Sequence, residues 1–141
     1  MTPQNANSNP SPQGQGALRL LAVGRGVVLG TGDIAVLPIL NSNSWAPATV
    51  AFVNGLVNGV SATIAAANLG LFTGPGATGN TIRTAGVLTG QTASTVFTAA
   101  ASPAAAVAQT AQQIYVNATV GVAGGVVDIF VYGYDLSNYT P

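Results

Sequence analysis

The sequence predicts an all-β fold: a single β-sandwich or jelly-roll-like domain over residues 17–141, preceded by an extended N-terminal arm, residues 1–16. Three observations predict it. Short runs of alternating, β-branched and threonine-rich residues recur along the chain. Gly, Pro and Asn punctuate these runs at short intervals. No fixed period appears, which argues against a β-helix or propeller. At 141 residues the chain is long enough for one domain with its own core.

The arm holds three prolines, no charge and no hydrophobic period. Such a segment buries too little apolar area to offset its ordering entropy, so it is expected to contact another chain rather than its own core. From Ala17 the character changes. Ala17–Val23 and Val27–Leu29 are strand candidates separated by Gly24 and Gly26. Asp33–Leu40 is another, and Pro38 confines it to an edge or a bulge. Asn41-Ser-Asn-Ser is a turn cluster. Ala48–Asn54 reads as a strand, with hairpin closure at Asn54-Gly55 or Asn58-Gly59. Ile64–Thr73 follows, stopped by Gly74-Pro-Gly, and Thr81–Thr84 and Thr92–Thr98 are strand-like.

The stretch from Ser102 through Pro103 to Ala111 predicts one short helix, because Ser-Pro suits an N-cap and first turn and alanine favours helix. The last two strands alternate most clearly. Ile114, Val116, Ala118 and Val120 face one way on the first, and Val127, Ile129 and Val131 on the second. These two strands are expected to form a hairpin, and parity then requires a loop of even length. A two-residue turn at Ala123-Gly124 then pairs Val120 with Val127, Ala118 with Ile129 and Val116 with Val131. On the other face it sets Thr119 against Asp128, Asn117 against Phe130 and Tyr115 against Tyr132. A four-residue loop at Gly121–Gly124, or a bulge at Gly124 or Gly125, is the alternative.

Charge is the strongest compositional signal. Only 4% of residues are charged, against roughly 25% in an ordinary domain. They are Arg19, Arg25, Arg83, Asp33, Asp128 and Asp135, with no Lys, Glu or His and a formal net charge of +0. General acid–base and nucleophilic catalysis need a tuned acid or base beside the reacting atom. Asp128 and Asp135, seven apart across a strand and its end, favour no shared site. The expectation is therefore a protein that is not an enzyme, with no cofactor and no metal, since zinc would lack His and Cys ligands. There is no cysteine to form disulfides.

Three scattered arginines make no footprint for nucleic acid. Mean hydropathy is positive, yet no apolar run reaches ~18 residues, so no membrane span is expected. The residues after Met1 lack the basic start and apolar run of a signal peptide. With so little self-repulsion, much of the surface is expected to be covered by neighbours.

Gly24-Arg-Gly-Val-Val-Leu-Gly30 approximates a dinucleotide fingerprint, but its spacing is G-x-G-x-x-x-G and no long helix follows, so tight turns account for it. Gly70-Leu-Phe-Thr-Gly-Pro-Gly lacks G-K-[ST]. Asn117-Ala-Thr119 and Asn138-Tyr-Thr140 match the glycosylation sequon by chance, and the irregular threonine spacing excludes a regular ice-binding ladder. Tyr115, Phe130, Tyr132, Tyr134 and Tyr139 gather the aromatic content near the C-terminus. Either they cap the core, or Tyr115, Phe130, Tyr132 and Tyr134 form a subunit interface, where aromatics are enriched. What speaks for the second reading is that both faces of Val127–Tyr132 are apolar, and one of them needs a cover.

The phrases VAFVNG (50–55), NLGLFTGPGATGNTI (68–82), IYVNATVG (114–121) and VVDIFVYGYDL (126–136) together resemble small head proteins of tailed bacteriophages, the capsid decoration or cement proteins. The likeness spans roughly Trp45 to Leu136 and lies in short Thr/Ala/Gly strands and a final strand ending in V-Y-G. It implies a β-sandwich virion structural protein, a homotrimer on the outer capsid surface that binds and bridges major capsid protein subunits. A phage neck, baseplate or fibre subunit, or a bacterial surface structural protein, would share the composition.

Overall fold

Alternating apolar residues drive the chain into two layers that share one core. The computed structural model describes residues 18–40, 47–61, 64–89, 96–100 and 105–136. Among them the strands are β1 (Arg19–Val28), β2 (Gly32–Pro38), β3 (Ala48–Gly59), β4 (Asn68–Gly74), β5 (Thr78–Val87), β6 (Val96–Ala100), β7 (Gln109–Ala111), β8 (Gln113–Val120) and β9 (Val126–Asp135). One sheet runs β1-β9-β3-β6, with β7 also on β3; the other runs β2-β8-β4-β5. All pairings are antiparallel. β6 pairs residues 54–58 of β3 and β7 pairs residues 48–50, so they occupy one lane in succession. With that lane counted once, the connectivity is that of an eight-stranded jelly roll. The sandwich the sequence predicts is present.

Among the connections that cross between the layers are 29–31 (β1 to β2) and 121–125 (β8 to β9). These two are laced together, since the Leu29 N–H donates to the Gly125 carbonyl at 3.0 Å and the Val122 N–H to the Leu29 carbonyl at 2.8 Å. Between the sheets Phe52, Val57, Leu69, Leu71, Ile82, Ile114, Val116, Ile129 and Val131 are fully buried. Each such side chain contributes about 1.5–3 kcal/mol relative to exposure.

The glycines of the G-x-G stretch do not separate two strands. β1 is continuous, and Arg25 and Gly26 together oppose Asp128 as a β-bulge, with Gly26 at φ +64°. Pro38 ends the edge strand β2, as expected of a proline in a sheet. Neither Asn-Gly dipeptide closes a hairpin, because β3 runs through both to Gly59. Gly55 is needed there for contact across the core rather than for a turn: a Cβ on it would meet Leu71 Cδ1 at 2.7 Å.

The strand expected from Ile64 starts only at Asn68, after a turn in which the Ala67 N–H donates to the Ile64 carbonyl. Gln109–Ala111, within the predicted helix, is strand β7, and the described residues contain no α-helix. Pairing with β3 overrides alanine's local preference. Ser102 and Pro103, the arm 1–16, the turn cluster 41–44, Thr92–Thr95 and Tyr139 lie outside the described residues.

The largest correction concerns the last two strands. A turn does form at Ala123-Gly124, with the Gly125 N–H donating to the Val122 carbonyl and Gly124 at φ +76°. Its strands do not pair with each other. β8 lies between β2 and β4, and β9 lies between β1 and β3 in the opposite sheet. None of the predicted cross-strand pairs exists, Tyr115–Tyr132 included. The inward parity holds for Ile114, Val116, Ala118, Val127, Ile129 and Val131, but Val120 is 47% exposed. Parity is equally satisfied by a hairpin within one sheet and by an arch whose two strands face each other across the core.

Candidate interaction surfaces

On β9 the odd-numbered residues enter the core, and Asp128, Phe130, Tyr132 and Tyr134 point outward. Directly opposite neighbours extend this outer face into rows. Phe130 lies between Val23 of β1 and Leu56 of β3, and Tyr132 lies between Leu20 and Asn54. Val126 is flanked by Val28, which is 63% exposed. The centre of the face is apolar because Leu20 and Val23 of β1 and Leu56 of β3 flank Phe130 and Tyr132, with Asn54 and Asn58 of β3 on either side of Leu56.

Its charges are consumed locally. Asp128 accepts the Gly26 N–H at 2.8 Å and lies 3.6 Å from Arg25, whose guanidinium carbon sits 5.2 Å from the Phe130 ring centroid. The bulge at Arg25-Gly26 creates this arrangement by aiming one N–H and one guanidinium at a single carboxylate. At the far end Arg19 lies 3.6 Å from the buried Asp135. Such partly exposed pairs contribute up to ~1 kcal/mol each. Their larger effect is to leave the face without net charge.

Tyr115 does not join the other three aromatics. It is on β8, on the outer face of the opposite sheet, between Val36 and Phe72. Its hydroxyl accepts from Gln113 Nε2 at 2.7 Å. This second face carries a cover of its own. The β4–β5 turn (Pro75–Ala77) packs against β2 and β8, and Phe72 beside it is 8% exposed. Asp33 latches the turn: Oδ2 accepts the Gly76 N–H and Oδ1 accepts Asn117 Nδ2, both at 2.8 Å. The Asn117 amide, and after it the Gly76 N–H, hold the Asp33 carboxyl below the usual carboxylate range.

Arg83, grouped in the sequence with two surface arginines, is 1% exposed and donates to the Leu69 carbonyl. Burial pushes its guanidinium pKa down. The surrounding Thr81–Thr84 stretch carries no signal that would have distinguished it. Asp33 was legible only as a charge at the head of a strand.

A shallow depression of about 410 Å³ lies between Thr73, Pro75, Gln113 and Tyr115, and another of about 560 Å³ beside Phe72, Asn80 and Thr84. Both are lined by neutral groups. Among the described residues no three His, Cys, Asp or Glu side chains gather where they could hold a metal ion. The arrangement of the β1-β9-β3 face suits burial of apolar area against another protein surface. Comparison with family models, curated proteins and solved structures gives no match.

Proposed function

We propose that this chain is a non-enzymatic virion structural protein that decorates and stabilises a phage capsid by binding major capsid protein subunits as a homotrimer on the outer surface. The observation that carries the reading is the outer face of the β1-β9-β3 sheet. Leu20, Val23, Leu56, Phe130 and Tyr132 line it, while Arg25 and Asp128 neutralise each other at its edge. A neutral, half-buried apolar face on a chain with 4% charge is built for a neighbour rather than for water. The jelly-roll connectivity adds support by analogy, since capsid domains use it, although fold alone does not assign function.

The test is copy number and stability in purified particles. Quantitative mass spectrometry should find the chain in a fixed, high ratio to the major capsid protein, and particles lacking it should rupture at lower temperature. A few copies per particle would instead favour a neck, baseplate or fibre subunit. Absence from particles would refute the reading.

A further inference from the structure

We infer that the face formed by Leu20, Val23, Phe130 and Tyr132 receives the N-terminal arm, residues 1–16, of a second copy of this chain. The inference deepens the homotrimer reading, but its test does not depend on any capsid. It starts from where the arm leaves the domain. Leu18, 52% exposed, precedes β1, the edge strand of the sheet. β1 pairs directly with β9, and Gly133 lies opposite Arg19, so the chain departs beside Tyr134, which is 37% exposed. The apolar rows begin one pair further in, at Leu20–Tyr132 and then Val23–Phe130.

The composition of the arm matches that face. It carries Pro3, Pro10 and Pro12, with six Asn and Gln side chains and no charge. Proline-rich segments favour the extended polyproline conformation, whose flat rings lie against aromatic side chains at small ordering cost. Arg25–Asp128 and Arg19–Asp135 leave the face no net charge with which to select a charged partner. Phe130, packed under Arg25, and the Tyr132 ring supply the aromatic floor.

Length and direction favour a neighbour. β1 starts at Arg19 opposite Gly133, so the described chain begins near the end of its sheet. Sixteen residues at ~3.1 Å each span about 50 Å in that conformation, longer than the ~33 Å of a ten-residue strand such as β9. An arm passed from each copy to the next is a heterologous contact, which closes a ring when the rotation between copies closes.

The experiment uses the full chain. A photo-crosslinking amino acid replaces Asn9, and heavy-isotope-labelled and unlabelled chains are mixed before irradiation. Mass spectrometry should locate cross-links within residues 19–28 or 126–135, with mixed-isotope pairs at their statistical share. Phe130→Ser, which removes an outward side chain and leaves the core intact, should lower the yield about tenfold. Cross-links formed only within single-isotope chains would mean that each arm covers its own domain, and would overturn the assignment to a second copy. Cross-links elsewhere, or none, would overturn the site itself.

Discussion

Asp33 on β2 and Gly76 in the β4–β5 turn, 43 residues apart in sequence, are joined by an N–H···O bond of 2.8 Å to one carboxylate oxygen. The turn it restrains is conformationally costly, because Gly76 and Ala77 both adopt φ +62° and only glycine does so without strain. The carboxylate therefore holds a strained turn against the outer face of the second sheet.

Acidification should release that restraint. The folded-state pKa of Asp33 is depressed, so its contribution is fully present above the unfolded value of about 4. It is lost as pH falls through that value toward the folded one. The melting temperature of the wild-type chain should fall over this window, and Asp33→Asn should flatten that part of the curve. Superimposable acid profiles for the two proteins would exclude Asp33 as the responsible group.

The two faces of β9 should respond differently to truncation. Ile129 is fully buried, so Ile129→Ala should cost about 2–5 kcal/mol in denaturant unfolding. Phe130→Ala should cost less stability while weakening self-association in sedimentation. Equal losses of stability would mean that Phe130 serves the core of its own domain.

Gly121 and Gly55 test two kinds of close approach. A Cβ on Gly121 would lie 2.5 Å from the carbonyl oxygens of Leu29 and Gly30, which are backbone atoms of the neighbouring crossing. On Gly55 it would meet only the movable tip of Leu71. Gly55→Ala should cost about 1–3 kcal/mol, the usual range for overpacking, and Gly121→Ala should cost more. The reverse order in equilibrium unfolding would show that the crossing adjusts more easily than the core.

Arg83 should tolerate loss of charge better than loss of volume. Arg83→Ala removes the donor to the Leu69 carbonyl and opens a cavity, for at least about 1–3 kcal/mol from the unsatisfied group alone. Arg83→Met keeps much of the volume and avoids burying a cation, so it should lie closer to wild type. A methionine variant less stable than the alanine variant would contradict this account.

How far the sequence determines this structure is clearest at β8 and β9. Alternation identified the strands and the inward face of each, because which way a side chain points is settled by its immediate neighbours. It did not identify partners. Whether Val127 lies beside Val120 or beside Val27 depends on where β1 and β3 lie, and that information is distributed over the chain. The same distinction separates Phe130 and Tyr132, which share the outward face of β9, from Tyr115, which the arch carries to the opposite sheet. At Asn54-Gly55 a strong local turn signal gave way to Leu71, a residue on another strand that the dipeptide could not report.

The central position of β8 and β9 bears on how the chain is made. β8 and β9 occupy interior lanes of the two sheets, and among the described residues β1 and β2 have no ladder partners except β9 and β8. Until β8 and β9 are made, β1 and β2 lack the partners they have among the described residues, and their edges stay open to other nascent chains. Pairing between residues as far apart as Arg19 and Gly133 incurs its loop-closure cost before any contact offsets it, so folding should be slow. A chain cut short before Gln113 would lack the interior strand of both sheets, the kind of species that aggregates or recruits chaperones.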